Sequence, residues 1–378
     1  MKLHEYYKKN AINPVPINSK NILNLRKHFL IRKNLIENHL KIPLFLINNK
    51  KILEVGPNTG ENSLLFAYNK CRITFVEPST KSICQLKKNY KKFNKLNYIE
   101  KIINKPLENV KINSKFNLVI AEGFLNTLRN RNKHLKYLAK KVDTEGLLII
   151  NYDDFYGSFV ELLKSNILKK ECENLNVSLA SKTSLNIAKR LFLKDYKKFK
   201  NSRPFKAYWE DQLASPFAGC IWKFSDIIKI LNKSKLYFYS SSPSWFMGHY
   251  FKWYKDIDFK KINTKAKISW NDNINYFLTG YKKINNISFD NSNIHQLDNL
   301  IKSLSKNLLI KKKGKKIIFP DKFFKKSYKN NNSSLYLEIV KILNFLNSKN
   351  NSIQYNKLKN FRKLTGTNLH YVCFVKSQ

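Results

Sequence analysis

Acidic residues are scarce in this chain: 26 Asp+Glu stand against 71 Lys+Arg, a formal charge of +45 over 378 residues. Arginine is scarce too, confined to Arg26, Arg32, Arg72, Arg129, Arg131, Arg190, Arg203 and Arg362. The excess charge is therefore lysine, a flexible point charge without the planar fork used for specific phosphate and base recognition. Together with abundant Asn and Ile, this reads as a compositional bias on solvated positions and disfavours a dedicated nucleic-acid surface. The five cysteines, Cys71, Cys84, Cys172, Cys220 and Cys373, are scattered and form no CxxC pair. That excludes a disulfide framework or zinc knuckle, fits a reducing, cytoplasmic setting, and leaves no metal site to expect. No apolar run approaches the roughly 20 residues that span a bilayer, and the first residues lack the apolar stretch of a secretion signal. The hydrophobic content of 43% is ample for a buried core.

Against these absences stands a strong alternation of strand and helix patterns. Residues 20–41 read as an amphipathic helix ended by Pro43. Short apolar strands follow at 51–55, 72–76, 98–99, 116–121 and 147–151, with helices expected near 61–69, 79–93 and 127–142 between them. Ser79 is the expected N-cap of the second of these helices. Near-continuous apolar strands alternating with helices predict an α/β fold with a doubly wound parallel sheet. Beyond Asn151 the rhythm changes: helices over 154–200, an irregular aromatic stretch over 201–222, a helix over 225–231, a sixth strand at 236–240, mostly helix or loop over 241–366, and a last strand over 369–376.

The chemistry lies at the first strand. Glu54-Val55-Gly56-Pro57-Asn58-Thr59-Gly60 is a strand running into a glycine turn. Gly56 lets the chain turn off the strand, and Gly60 lets a ligand approach the backbone. Glu77 ends the second strand, where an acid can accept both hydroxyls of an adenosine ribose. Dinucleotide-binding turns have a glycine at the position held here by Asn58, and Asn is the non-glycine residue most tolerant of a left-handed backbone.

In these residues the chain resembles the class I S-adenosylmethionine (SAM)-dependent methyltransferases, over roughly residues 45–151. The resemblance implies a seven-stranded Rossmann-like sheet, SAM as cofactor, Glu54 near the methionine end of SAM, Glu77 on its ribose, and Ala121-Glu122-Gly123 lining the adenine and methyl region. The family's adenine-binding acid has no clear counterpart, and Asn104 is the nearest candidate. The resemblance also implies that the last strand is antiparallel and inserted between strands five and six. It divides the chain into an N-terminal helical cap (1–44), a SAM-binding core (45–153, 223–240 and 367–378), a lid (154–222) and a lysine-rich insertion (241–366).

For the acceptor, candidates are Asp153 and Glu122 as catalytic groups, and Tyr7, Tyr152, Arg203, Trp209, Asp211 and His249 as substrate contacts. Several have a structural alternative: Asp154, a second candidate base, as a helix cap; Trp209 and Trp222 as packing residues; His249 as a packed or exposed residue; Tyr7 in a loosely ordered tail. Residues 122–125, Glu-Gly-Phe-Leu, lack the (Asp/Asn/Ser)-Pro-Pro-(Tyr/Phe) turn of nucleobase amine methyltransferases, and no cysteine nucleophile stands near this strand. The expected function is methyl transfer to a small molecule or glycan. RNA methylation on the strength of the basic charge, and a non-catalytic scaffold, are the alternatives. The oligomeric state is left open.

Overall fold

The computed structural model describes residues 5–6, 22–198, 204–246, 258–280, 291–309, 317, 333–348 and 352–377. In chain order the helices are α1 (Ile22–Lys33, continued by a wider turn Asn34–His39), α2 (Leu64–Tyr68), α3 (Thr80–Lys92), α4 (Arg131–Lys141), α5 (Phe159–Asn174), α6 (Lys182–Lys198), α7 (Phe205–Tyr208), α8 (Phe224–Asn232), α9 (Phe259–Asp272), α10 (Ile274–Thr279), α11 (Asn291–Leu309) and α12 (Ser333–Asn347). The strands are β1 (Lys51–Val55), β2 (Arg72–Val76), β3 (Ile99–Ile103), β4 (Phe116–Ala121), β5 (Val142–Asp153), β6 (Leu236–Ser242) and β7 (Leu369–Lys376). They form two compact units, one of residues 1–152, 222–272 and 369–378, the other of 153–221 and 273–368.

The first unit carries the sheet, in the order β3-β2-β1-β4-β5-β7-β6. β1 to β5 pair in parallel, and β7 runs antiparallel to β6. This is the expected Rossmann-like sheet, including the last strand seated between β5 and β6. β1 and β2 are buried at every position but the first, as a sheet covered on both faces requires. On one side the core gathers Ile36, Leu40, Phe66, Phe75 and Tyr90. Around β6 and β7, Phe224, Phe238, Trp245, Trp270 and Phe374 form an aromatic cluster.

Several local expectations are corrected. The helix expected from Thr127 begins at Arg131, because Leu125–Thr127 forms a tight turn in which Thr127 Oγ1 donates to the Phe124 carbonyl at 2.6 Å. The helix ends at Lys141, and β5 starts at once. Gly146 is therefore no turn ahead of a short strand but an irregularity inside a long one. There Glu145 has φ 60°, and a Cβ on Gly146 would meet backbone oxygens of Asp143, Asn117 and Phe116 within 2.9–3.0 Å. The stretch 201–222, expected to be irregular, is helical from Phe205 to Leu213, with Pro204 immediately before the first turn. Ser79 caps α3 as expected, its Oγ accepting from the Ser82 N–H at 3.2 Å.

The second unit is built around α5, which is buried over most of its length and packs against α6, α10, α11, α12 and the turn Trp209–Leu213. Most of the region between β6 and β7 thus folds with residues 153–221, while its α9 lies in the first unit against α8 and β6. Arg362 grips Asp195 with two hydrogen bonds of 2.7 and 2.8 Å. Gly157 sits so close to Thr367 that a Cβ would come within 2.3 Å of its carbonyl oxygen. Since that neighbour is backbone, Gly157→Ala is expected to destabilise the second unit by about 1–3 kcal/mol. A urea midpoint equal to the wild type's would show that this approach does not exist. No helix among the described residues is long and apolar enough to cross a membrane.

Candidate cofactor and active site

Strand register builds the site. Val55 pairs with Val76 on one side and Ala121 on the other, so the residues that follow β1, β2 and β4 leave the sheet side by side. This is where the strand order reverses direction, the crevice position of open α/β sheets. The Gly56 N–H donates to the Val76 carbonyl at 2.9 Å and ties the turn to β2. Gly56, Asn58 and Gly60 all have left-handed backbones, with φ 72°, 51° and 79°. Asn58 thus does what the missing glycine would do, and its Oδ1 accepts from Ser82 Oγ at 3.2 Å. A Cβ on Gly60 would lie 2.8 Å from Leu86 Cγ, and one on Gly56 3.0 Å from the Phe124 ring. The helix expected over 61–69 is only the five residues of α2. No long helix dipole therefore points at the turn.

Glu77 is buried and braces this turn. Its Oε2 accepts from the Asn58 N–H at 3.1 Å and its Oε1 from the Ser79 N–H at 2.9 Å. Burial pushes its carboxyl up to about 7, and the two hydrogen bonds act the other way. Asn104 lies exposed beside it, donating to the Glu77 carbonyl at 2.9 Å and accepting from Thr80 Oγ1 at 3.1 Å.

Glu54 and Glu122 belong to a buried polar cluster that local reading did not reveal. Glu54 is buried, its Oε2 has no hydrogen-bond partner, and burial together with the charge of Glu122 pushes it up to about 7. Glu122 Oε1 pairs with Arg32 Nη2, and its Oε2 receives only a long contact of 3.5 Å from Asn62. Asn62 Oδ1 in turn meets His28 Nε2 at 3.0 Å. Burial lowers the pKa of His28. Arg32 is itself buried and its Nε lacks a partner. Burial opposes its charge, yet Glu122, Tyr371 and Glu54 hold the guanidinium above its usual range. Tyr371 is pushed up to about 12 by burial and by the Glu122 charge. Asn151 on β5 accepts the Gly123 N–H and so orients the peptide after Glu122.

One signal for Arg32 was present in the sequence. Leu25, Phe29, Arg32 and Ile36 follow helical spacing, which places an arginine on the apolar stripe of α1.

In the first unit Tyr152 is buried at the end of β5, its ring edge-on to His370 at 5.9 Å. Trp222 is buried beneath the Arg131 guanidinium, 4.8 Å away. In the second unit Asp153 lies 3.5 Å from the Asn368 amide. Asp154 accepts the N–H groups of Tyr156 and Gly157, both at 2.9 Å. It therefore closes the turn ahead of α5, whose flanking residue is Ser158, and is not itself the helix cap. Trp209 is buried with its indole N–H on Ser184 Oγ at 3.3 Å, and Asp211 is half-buried. Tyr7, Arg203 and His249 lie outside the described residues. The structure brings Glu54, Gly56, Asn58, Gly60, Glu77, Asn104 and Glu122 to one edge of the first unit's sheet.

Residues 27–186 match the family described as a methyltransferase domain. No curated protein matches the chain. Among solved structures the chain is similar to PKMT2 from Rickettsia typhi, with 16% identity over 65% of this chain and 50% of that one and a TM-score of 0.47. PKMT2 in complex with AdoHcy gives 18% identity over 62% and 51% of the two chains, with a TM-score of 0.44. The N-methyltransferase NodS from Bradyrhizobium japonicum WM9, in complex with S-adenosyl-L-homocysteine (SAH), gives 14% identity over 40% and 73%, with a TM-score of 0.31. The chain spans about half the length of the PKMT2 chain. Residues 27–186 of this chain therefore carry a methyltransferase domain, which supports the resemblance to the class I, SAM-dependent methyltransferases.

Proposed function

We propose that the glycine-turn site binds SAM and that the chain transfers its methyl group to a small polar molecule or glycan-type acceptor. The observation that carries the cofactor reading is the pair of unpartnered buried atoms, Glu54 Oε2 and Arg32 Nε. Buried polar atoms left unpaired are costly, and an anion and a cation side by side complement an α-amino acid zwitterion. Glu54 would take the ammonium of the methionine end and Arg32 its carboxylate. Glu77 would exchange its hold on the Asn58 and Ser79 N–H groups for the ribose hydroxyls, with Asn104 near the adenine. The bound cofactor supplies a methyl group already activated on a sulfonium. The chain's part is to hold the reactants in line and exclude water. The acids at this edge repel phosphates, which supports a small acceptor over RNA.

The RNA reading keeps one observation in its favour, the charge of +45. Tight RNA binding that weakens steeply with salt would promote it.

Calorimetry with SAH tests the cofactor reading, and pH gives it a signature. Two carboxyls held near 7 in the free protein must be charged to bind the ligand. Binding therefore releases protons, and affinity falls as pH falls. Between pH 7.5 and pH 6 the loss is expected to be roughly tenfold for each carboxylate. Glu77→Gln should remove its share of that dependence. Absence of SAH binding overturns the cofactor assignment; pH-independent binding overturns the two carboxylate roles.

A further inference from the structure

The cofactor reading leaves one acid unassigned. Glu54 and Glu77 have their roles in it, whereas Glu122, at the mouth of β4, has none that the zwitterion requires. Its side chain is 11% exposed, and its Oε2 has only the 3.5 Å contact from Asn62. Next to it Gly123 has φ 77°, and a Cβ placed there would meet nothing within 4 Å. The end of β4 therefore presents an under-coordinated carboxylate oxygen on Glu122 and, at the next residue, open space. The Gly123 peptide is pinned from behind by Asn151, so this edge keeps its shape.

Charge balance points the same way. Three carboxylates, Glu54, Glu77 and Glu122, share this edge with one guanidinium, Arg32, while burial and Arg32 lower the proton affinity of His28. SAM carries a sulfonium, an ammonium and a carboxylate, and so brings a single net positive charge. With the acids ionised, one negative charge is left uncompensated. A buried uncompensated charge is unfavourable unless a cation meets it. An acidic or phosphorylated acceptor would deepen the imbalance, and an alcohol would leave it as it is.

We propose that the methyl acceptor is an amine, which arrives as its ammonium ion and is held by the Glu122 carboxylate at the end of β4. The inference rests on the cofactor reading above. The ammonium first gives one proton to water. The nitrogen lone pair then forms the N–C bond while the C–S bond breaks and its electron pair passes to sulfur. The products are the methylated ammonium and SAH. Glu122 accepts hydrogen bonds from the N–H groups that stay on nitrogen and stabilises the positive charge that returns to it. No base is needed at the reacting atom.

The test is binding to the full chain saturated with SAH. The probes are n-butylammonium and spermidine as cations, with 1-butanol and butyrate as neutral and anionic counterparts of similar size. At least one of the cations is expected to bind at least tenfold more tightly than the alcohol and the acid. That preference should fall at least tenfold in Glu122→Gln and survive in Glu122→Asp. Equal binding of cation and alcohol, no binding of either cation, or an unchanged preference in Glu122→Gln overturns the proposal. Should Glu122→Gln not fold, the comparison of probes on the wild-type chain and on Glu122→Asp decides. If SAH itself does not bind, the cofactor reading has failed; if SAH binds and the cations do not, only the amine assignment has.

Discussion

Arg32→Met is expected to destabilise the first unit by about 3–5 kcal/mol at pH 8, the usual loss when one partner of a buried ion pair is removed. Methionine can fill much of the space, so the loss is electrostatic more than steric. Arg32 compensates Glu122 directly and Glu54 at longer range. Without it Glu54 is pushed higher, and its folded pKa stands further above the unfolded one. Such groups contribute stability that is complete below the unfolded pKa and is lost as pH rises through the folded pKa. The penalty should therefore be large at pH 8 and much smaller at pH 5, where Glu54 is already protonated. Arg32→Lys, which keeps the charge but not the fork, should recover part of it. Urea unfolding of the three proteins at both pH values is the measurement. A loss below about 1 kcal/mol at pH 8 would mean that the Arg32–Glu122 pair contributes little.

Glu77→Ala is expected to cost about 2–4 kcal/mol of SAH binding, roughly 30- to 1000-fold in Kd. Two effects combine. The ribose loses a charged, buried acceptor, and the Asn58 and Ser79 N–H groups lose the oxygens that hold the turn in shape. Glu77→Gln separates them, because an amide oxygen can still brace one N–H while the charge is gone. If the ribose contact dominates, Gln should bind SAH nearly as poorly as Ala; if turn shape dominates, Gln should bind nearly as well as the wild type. Removing a carboxyl held near 7 should also flatten the fall in free-protein stability between about pH 4.5 and pH 7. An unchanged Kd in Glu77→Ala would remove Glu77 from the site.

Much of this site was readable because its determinants are local. Glycine is required where φ is positive, Asn58 is the residue that substitutes for it at least cost, and an acid at a strand end needs only its strand to place it. Gly56, Gly60 and Glu77 were therefore singled out from their places at the strand ends, and Glu54 through the family resemblance. Element ends were less legible. Whether 142–146 continues a helix or opens a strand depends on pairing with β4, which no local preference encodes.

By itself the sequence determined a parallel α/β sheet with a glycine turn at its first strand, since apolar runs covered on both faces and left-handed positions are properties of neighbouring residues. Only the tertiary structure decided which charges meet. Arg32 and Glu122 are 90 residues apart, and their pairing depends on how α1 docks on the sheet. It also decided where residues 273–368 fold, because the contacts of α11 and α12 with α5 are formed by residues more than a hundred positions apart. Burial is what turns these meetings into chemistry: a carboxylate that is unremarkable in water becomes a ligand-seeking group when it is enclosed with too little opposite charge.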